Sequence, residues 1–300
     1  MPKLEWTGVL PAITTPFRDD GEVDHAFLAR HCRWLVDQGC RGVVALGSLG
    51  EGATLEPDEK HAILETCVHA LQGKAPVIAG VAALSTRRAV RIAQDAERVG
   101  CKGLMVLPAY VHKGEWREAR AHVSAVMAAS GLPCMLYNNP IAYGTDFQAP
   151  QVAELAARHA NLQAVKESSG DARRVTALRA LLDGRLTLLI GLDDMVTEGV
   201  EAGARGWVAG LANALPGESV RLFELALAGR REEAFALYRW FLPLLRMDTV
   251  PEFVQLIKLV QHEVGMGGEH VRRPRLPLEG PARDAALATI RAALASRPAS

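Results

Sequence analysis

Lys166 is the residue of this 300-residue chain whose type and position point most directly to chemistry. It ends a mostly aliphatic run over residues 162–165, so a buried β-strand would carry its side chain to the end of a sheet. Partial loss of contact with water disfavours the charged form and lowers the pKa, and a neutral amine can add to a carbonyl carbon to form a Schiff base. Position alone supports a structural role equally well, in which Lys166 pairs with Glu167 or another carboxylate at a strand end.

Three hydroxyl groups follow other aliphatic runs. Tyr137 ends one of them, and its phenol could pass protons to and from a carbinolamine on Lys166 if another donor holds it. Ser48 and Tyr110 follow two further runs and would extend such a relay. A single tyrosine on a strand is more often a packed residue with a satisfied hydroxyl, but three hydroxyls that converge on one lysine favour the catalytic interpretation.

The loop at residues 47–52 reads GSLGEG and does not match the dinucleotide-binding pattern G-x-G-x-x-G. Its glycines and backbone N–H groups would suit a carboxylate as an anion nest. The nine histidines form neither H-x-H nor H-E-x-x-H, and Asp193 with Asp194 is a weak ligand set that is more typical of a helix start. We therefore expect no metal and no cofactor. The lysine would instead bond covalently to the substrate as an imine.

A repeated unit organises the chain. Gly39, Gly100 and Gly203 each follow a helical pattern, and after two residues a run of aliphatic residues begins. Glycine is typical of a left-handed helix end, and a continuous aliphatic run is typical of a strand buried on both faces. Eight such runs predict an α/β fold, a (β/α)8 TIM barrel, since a doubly wound sheet usually stops at five or six strands. The runs begin near Gly8, Gly42, Pro76, Gly103, Pro133, Leu162, Leu186 and Gly206.

Helical patterns complete the predicted fold. After Gly229 the alternation ceases, and a basic, proline-rich link at residues 272–277 is interpreted as a solvated or packing segment. The sequence thus predicts a catalytic barrel over residues 1–229 and a C-terminal helical domain over residues 230–300. The predicted helices cover residues 24–38, 57–71, 86–99, 115–130, 148–159, 172–182, 195–202, 216–228, 231–247, 251–264 and 282–295.

Composition excludes several classes of protein. The 34 basic and 34 acidic residues balance, which argues against a nucleic-acid partner. No stretch reaches the roughly 18–20 apolar residues of a membrane span, and the N-terminus lacks the apolar segment of a signal peptide. The five scattered cysteines show no C-x-x-C spacing, which favours small apolar residues in a reducing cytoplasm.

Three motifs at predicted strand ends resemble the dihydrodipicolinate synthase/N-acetylneuraminate lyase family. They are GSLGE at residues 47–51, the tyrosine motif Tyr137-Asn138-x-Pro140, and KESSG at residues 166–170. The resemblance extends over nearly the whole chain, including the helical C-terminal part. It implies a class I enzyme in which Lys166 forms a Schiff base with a 2-oxo acid, usually pyruvate, and Tyr137 is the proton shuttle.

The same resemblance assigns roles to further positions. The glycine-rich loop would bind the substrate carboxylate. Tyr110 matches a tyrosine that members of the synthase branch lend across a subunit interface, and the family is usually a homotetramer of two tight dimers. A carbonyl on strand eight would face the bound oxo acid. The expected substrate-binding residues are Ser48, Leu49, Gly50, Asn139 and Val208.

Two departures from the synthase pattern bear on the substrate. Leu49 replaces a second threonine and removes a hydroxyl from the relay. Ala142 replaces an arginine that grips the carboxylate of the aldehyde substrate, and alanine makes no bidentate pair with a carboxylate. Residues 47–52, 166–169, 206–211 and 238–241 resemble the branch that deaminates 1-pyrroline-4-hydroxy-2-carboxylate in hydroxyproline breakdown, releasing ammonia and 2,5-dioxopentanoate.

The expected function is a Schiff-base-forming lyase or deaminase that acts on a small 2-oxo acid or cyclic imino acid, specifically 1-pyrroline-4-hydroxy-2-carboxylate deaminase. The alternatives are 4-hydroxy-tetrahydrodipicolinate synthase, which condenses pyruvate with aspartate semialdehyde, and a 2-keto-3-deoxy sugar acid aldolase or dehydratase. A non-catalytic 2-oxo-acid sensor is less favoured because the lysine–tyrosine pair is complete. A metal-dependent barrel hydrolase is less favoured because the sequence lacks a metal-ligand pattern.

Overall fold

A computed structural model describes residues 3–298 as a ring of parallel strands surrounded by helices, which confirms the predicted (β/α)8 barrel. Residues 1–2 and 299–300, which belong to the predicted domain ranges, lie outside the described part. The eight strands are β1 (Gly8–Pro11), β2 (Val43–Ala45), β3 (Val77–Val81), β4 (Gly103–Val106), β5 (Cys134–Asn138), β6 (Leu162–Glu167), β7 (Thr187–Ile190) and β8 (Gly206–Ala209).

Parallel pairing carries the sheet almost completely around the barrel. The strand order is β1-β8-β7-β6-β5-β4-β3-β2. A bridge between Ala12 and Val44 joins the two ends of this order, where the Ile13 N–H donates to the Val44 carbonyl at 2.9 Å. All eight strands therefore end at one mouth, which is where the active sites of such barrels lie.

Helices on the outside of the ring connect successive strands. Their bounds agree with the predicted helical patterns to within a few residues, except that a four-residue helix after β5, α5, was missed. The helices are α1 (His25–Asp37), α2 (Pro57–Leu71), α3 (Thr86–Val99), α4 (Trp116–Met127), α5 (Pro140–Tyr143), α6 (Ala149–Arg158), α7 (Arg173–Leu182), α8 (Val196–Ala202) and α9 (Pro216–Leu227).

The repeated unit has the predicted geometry. Gly39, Gly100 and Gly203 follow α1, α3 and α8 with φ angles of 98°, 99° and 115°. This left-handed region costs glycine little, because glycine has no Cβ atom. The strands that follow, β2, β4 and β8, consist of buried residues only, which explains why their aliphatic runs are continuous rather than alternating.

Three further helices, α10 (Arg231–Leu245), α11 (Phe253–Glu263) and α12 (Gly280–Ala295), follow the barrel. α10 packs beside α9 and α12, and the Trp240 indole N–H donates to the Ala293 carbonyl at 2.9 Å. α11 reaches the barrel mouth, where Gln261 accepts a hydrogen bond from the Thr14 hydroxyl at 2.8 Å. The division into two domains at residues 229 and 230 stays a prediction.

Two simpler features of the chain concern membranes and thiols. Between residues 3 and 298, no helix combines the length and the apolar character that a membrane crossing requires.

Cys32, Cys40, Cys67, Cys101 and Cys134 are all free and buried. They pack as the small apolar residues that their scattered spacing indicated.

Candidate active site

Lys166 and Tyr137 lie side by side at the barrel mouth. The register of β5 and β6 places Tyr137 opposite Lys166. The Lys166 ammonium nitrogen lies 4.1 Å from the centroid of the Tyr137 ring, and both residues are buried. The structure therefore brings together the two residues that the sequence placed at the ends of adjacent strands, at a separation that a small substrate can bridge.

Glu167 points away from Lys166, because successive side chains of a strand face opposite sides. Its carboxylate accepts a hydrogen bond from the Asn138 side-chain amide at 3.0 Å and another from the Ser169 N–H at 2.6 Å. In the part of the chain that the structure describes, Lys166 forms no salt bridge. The interpretation in which Lys166 pairs with Glu167 is therefore wrong.

The segment after β5 holds the Tyr137 hydroxyl in place. Asn139 caps α5 by accepting a hydrogen bond from the Ala142 N–H at 3.0 Å, and its side-chain amide donates to the Tyr137 hydroxyl oxygen at 3.0 Å. Pro140 suits the first helical turn because its φ is fixed and its missing N–H would have no partner there. Asn139 thus orients the candidate proton shuttle, and its contact with substrate stays a prediction.

Tyr143, the last residue of α5, connects the hydroxyl groups of the mouth. Its hydroxyl is hydrogen-bonded to the Ser48 hydroxyl. Its ring centroid lies 5.7 Å from that of Tyr137, in an edge contact, and 5.5 Å from that of Tyr110. Ser48, Tyr110, Tyr137 and Tyr143 therefore form one hydroxyl cluster, and Tyr143 is the member that the sequence analysis missed.

Burial affects the acidity of the hydroxyl cluster. It raises the pKa of Tyr143, and the neighbouring Tyr137 raises this pKa further. Burial also raises the pKa of Tyr110, while a hydrogen bond with Ser48 lowers it by less. Tyr110 and Tyr143 are therefore protonated at neutral pH and are able to donate hydrogen bonds within the cluster.

The loop at residues 47–52 forms a cradle of backbone N–H groups. Leu46 and Glu51, on either side of its turn, have φ angles of 63° and 53°, which curve the backbone tightly. Leu49 and Gly50 are buried, and no acceptor within residues 3–298 pairs with their N–H groups. Unpaired buried N–H groups are rare and unfavourable, so an anion bound here would satisfy both.

Glu51 anchors this loop to the C-terminal part of the chain. Its carboxylate accepts hydrogen bonds from the Lys258 ammonium at 2.6 Å and the Arg272 N–H at 2.9 Å. Lys258 also donates to the His270 carbonyl at 2.6 Å. Burial lowers the pKa of Lys258, and Glu51 opposes this shift. The basic link that begins at Arg272 is therefore a packing segment, which is one of the two interpretations that the sequence allowed.

Asp193 lies on the other side of Lys166, where β7 and β8 end. It accepts hydrogen bonds from the Trp207 indole N–H at 2.9 Å, the Gly210 N–H at 3.1 Å and the Leu211 N–H at 2.7 Å. Burial raises its pKa to about 6, although these donors and Lys166 lower it. Asp193 begins a short 3₁₀ helix, as predicted, and also fixes the loop after β8.

Ser168 presents a buried hydroxyl beside the Lys166 stem. A methyl group on Gly191 would lie 2.1 Å from the Ser168 hydroxyl oxygen and 2.2 Å from Lys166 Cε, so only glycine fits at the end of β7. The Ser168 hydroxyl has no hydrogen-bond partner within residues 3–298. The remaining candidate, Val208, is buried on β8 opposite Leu10 of β1, and the role of its carbonyl stays a prediction.

The family of the chain follows from its sequence taken as a whole. The sequence model of the dihydrodipicolinate synthetase family matches residues 5–293. The chain belongs to this family. Members of the dihydrodipicolinate synthetase family are class I, Schiff-base lyases, so this chain is a Schiff-base enzyme of that family.

Relatives within the dihydrodipicolinate synthetase family cover almost the whole chain. The chain is 34% identical over 276 residues to the 4-hydroxy-tetrahydrodipicolinate synthase of Stenotrophomonas maltophilia, which covers 92% of each protein. It is 31% identical over 267 residues to the synthase of Methanocaldococcus jannaschii, with 89% of this chain and 91% of the relative covered.

Solved structures of dihydrodipicolinate synthetases share the fold over the same length. A putative dihydrodipicolinate synthetase from Pseudomonas aeruginosa superposes with a TM-score of 0.90 at 32% identity, covering 96% of this chain and 99% of that one. The chloride-inhibited dihydrodipicolinate synthase of Acinetobacter baumannii, solved in complex with pyruvate, gives a TM-score of 0.91 at 28% identity, again covering 96% and 99%.

Tyr143 provides a direct test of the hydroxyl cluster in this member of the family. The variant Tyr143→Phe is expected to lower kcat about 10–100-fold, less than the loss of a group that acts on substrate directly. The ring contacts with Tyr137 and Tyr110 are kept, so KM and the melting temperature should change little. Steady-state kinetics on the substrate that the chain turns over measures the effect.

The matched control for this variant is Tyr238→Phe. The Tyr238 hydroxyl donates to the Asp194 carbonyl at 2.5 Å and takes no part in the hydroxyl cluster. This control should keep the wild-type kcat. Equal values of kcat for Tyr143→Phe, Tyr238→Phe and the wild type would contradict a role for the Tyr143 hydroxyl.

Proposed function

We propose that the chain forms an imine between Lys166 and a small 2-oxo acid or cyclic imino acid and processes it as a lyase or deaminase. The observation that carries this proposal is the 4.1 Å approach of the Lys166 nitrogen to the Tyr137 ring at the barrel mouth. In the described part of the chain, no carboxylate holds Lys166 in a salt bridge. The proposed chemistry uses the covalent lysine imine and no separate cofactor.

The site orients such a substrate by its carboxylate. The carboxylate accepts hydrogen bonds from the Leu49 and Gly50 N–H groups, beside the Ser48 hydroxyl, and this directs the neighbouring carbon toward Lys166. After Lys166 adds to that carbon, Tyr137 moves protons between the lysine nitrogen and the group that leaves. The other members of the hydroxyl cluster replenish the Tyr137 proton.

The specific substrate that we propose is 1-pyrroline-4-hydroxy-2-carboxylate, which the enzyme would convert to 2,5-dioxopentanoate and ammonia. This compound carries one carboxylate and an imine carbon next to it. Ala142, exposed on α5, offers no charged group to a second carboxylate. A substrate with a single carboxylate therefore suits the site better than a pair of substrates that bring two.

The second candidate is 4-hydroxy-tetrahydrodipicolinate synthase, the printed name of the relatives from S. maltophilia and M. jannaschii. One observation favours it. A methyl group on Gly144, next to Tyr143, would lie 2.7 Å from Lys113 Cε, so Lys113 brings a cation close to the position where Ala142 lacks one. A 2-keto-3-deoxy sugar acid aldolase or dehydratase remains the third alternative, because its substrate also has one carboxylate.

A substrate panel with ammonia and carbonyl readouts separates these candidates. We expect kcat/KM for ammonia release from the cyclic imino acid to exceed that for condensation of pyruvate with aspartate semialdehyde at least about tenfold. The variant Ala142→Arg should move this ratio toward condensation, because arginine offers a bidentate partner to the second carboxylate. Comparable rates in the wild type would contradict the role that we give to Ala142.

The proposed assembly is a homotetramer of two tight dimers, and the proposed compartment is the cytoplasm. Leu84, which is 65% exposed, lines a cavity of about 780 Å³ beside α2 and α3 together with Tyr110, and Val111, the residue after Tyr110, is 87% exposed. Val111 has a φ of 67°, an unfavourable value for a β-branched residue. These features support a subunit contact next to Tyr110. The contribution of Tyr110 to the site of a second subunit stays a prediction.

A further inference from the structure

Asp248 reaches the barrel mouth from the C-terminal part of the chain. It ends a short 3₁₀ helix, Arg246–Asp248, that follows α10. A methyl group on Gly210 would lie 2.0 Å from Asp248 Oδ1 and 2.4 Å from its Cγ, so the carboxyl group rests directly on the backbone just after β8. Only glycine at this position leaves room for the approach.

The Asp248 carboxyl group has no partner in the described part of the chain. The neighbouring Asp193 accepts hydrogen bonds from Trp207 and from the Gly210 backbone. Asp248, by contrast, makes neither a hydrogen bond nor a salt bridge with any residue from 3 to 298. Asp248 is part-buried at the mouth, and a carboxyl group without a protein partner there is open to a ligand.

The charged groups that face Asp248 are Lys166 on β6 and Asp193 and Asp194 after β7. Burial raises the pKa of Asp248 well above its usual value, the charge of Asp193 raises it further, and Lys166 lowers it. Asp248 therefore keeps its proton to a higher pH than an exposed aspartate does. A carboxyl group of this kind is suited to act as a general acid.

Lys166 has proton-transfer groups on two opposite sides. In the strand order β5-β6-β7-β8, Tyr137 lies on one side of Lys166, and Asp248 lies on the other, at the end of β8. Between Lys166 and Asp248, Gly191 at the end of β7 carries no side chain. A substrate atom bonded to the same carbon as the lysine nitrogen therefore lies between the two groups and is open to Asp248 as well as to Tyr137.

We propose that Asp248 is the acid that protonates the leaving nitrogen of a cyclic imino acid when Lys166 opens the ring. The proposal rests on the imine chemistry of the preceding section and assigns the residue that serves the leaving group. Asp248 would be a catalytic residue contributed by the C-terminal helical part of the chain rather than by a barrel strand.

The proton and electron balance of this step is simple. Neutral Lys166 adds to the imine carbon, and one proton passes from its nitrogen through Tyr137 to the ring nitrogen. Asp248 gives the ring nitrogen a second proton, and the carbon–nitrogen bond breaks with its electron pair on that nitrogen. The products are a protonated lysine imine, a primary amine at the far end of the opened substrate, and the Asp248 carboxylate.

Pyruvate requires a different proton transfer at the same site. Its adduct with Lys166 is a carbinolamine that loses water, with Tyr137 as the proton donor, and no nitrogen leaves. The two substrates therefore separate the roles of the two acids. The pyruvate reaction also reports whether a variant has kept its folded site.

The experiment compares Asp248→Asn with Asp37→Asn, which removes an exposed carboxylate at the last residue of α1. Borohydride is added at successive times after mixing, and the adduct mass on Lys166 is followed. We expect Asp248→Asn to slow adduct formation from 1-pyrroline-4-hydroxy-2-carboxylate about 10²–10³-fold while pyruvate reacts within about twofold of the wild-type rate. Asp37→Asn should leave both rates close to those of the wild type.

Each other outcome overturns the assignment. Equal slowing of both substrates in Asp248→Asn would show that Asp248 only supports the fold, and an unchanged rate with the cyclic substrate would show that it donates no proton. If borohydride trapped pyruvate but not the cyclic imino acid on Lys166 of the wild type, the reaction would have no leaving nitrogen for Asp248 to protonate. Absence of any wild-type adduct on Lys166 would overturn the imine chemistry itself, and the assignment with it.

Discussion

Replacing Lys166 with methionine is expected to lower kcat on the order of 10⁴-fold or more, because the variant removes the group that we propose bonds covalently to the substrate. Methionine has a similar length and no charge. Since Lys166 makes no salt bridge in the described part of the chain, the variant breaks no ion pair and should stay folded. Steady-state kinetics measures kcat, and mass spectrometry after borohydride reduction should find no adduct.

The control for this prediction is Lys102→Met, which replaces an exposed lysine between α3 and β4. It should keep the wild-type kcat and the adduct on Lys166. If Lys166→Met retained more than about one per cent of the wild-type kcat, the reaction would proceed without an imine at this residue. That result would return Lys166 to a structural role.

Replacing Lys258 with methionine is expected to lower the free energy of unfolding by about 3–5 kcal/mol, because it leaves the Glu51 carboxylate buried without its cation. The two side chains are 2% and 0% exposed. Arg275 lies 3.9 Å from Glu51, too far to replace the lost hydrogen bond. Urea unfolding measures the loss, and KM should rise because Glu51 anchors the loop that we propose binds the substrate carboxylate.

Two further variants test the origin of this loss. Adding Glu51→Gln to Lys258→Met should restore part of the stability, since a neutral amide needs no cation. Arg283→Met, which breaks a more exposed pair with Glu269 at 2.8 Å, should cost less than about 1 kcal/mol. A loss for Lys258→Met no larger than that for Arg283→Met would contradict the importance of the buried pair.

Much of the barrel could be predicted because its repeat is local. A glycine after a helix and a continuous aliphatic run depend on neighbouring residues, which a sequence displays directly. Four predicted strand starts, Gly8, Gly103, Leu162 and Gly206, coincide with the structure, and the other four precede the observed starts by one residue. α5 was missed because four residues are too few to show helical periodicity.

The site could be predicted only where strand ends define it. Lys166 and Tyr137 follow from the barrel, because all strands end at one mouth. Tyr143 depends on the single turn of α5, which brings it back over the mouth three residues after Pro140. Lys258 and Asp248 approach from helices whose placement has no fixed relation to the strand ends, so no local pattern marked them.

Glu51 is synthesised long before the residues that neutralise it. Lys258 and Arg272 follow it by 207 and 221 positions. At about 5–20 residues per second, roughly 10–40 s of translation separate Glu51 from Lys258. A chain released during the last few seconds before Lys258 is made would contain the residues of all eight strands, with Lys166 and Tyr137 among them. It would lack the lysine that anchors the loop at residues 47–52. We therefore expect the loop that we propose binds the substrate carboxylate to be anchored only in a chain whose translation has run nearly to its end.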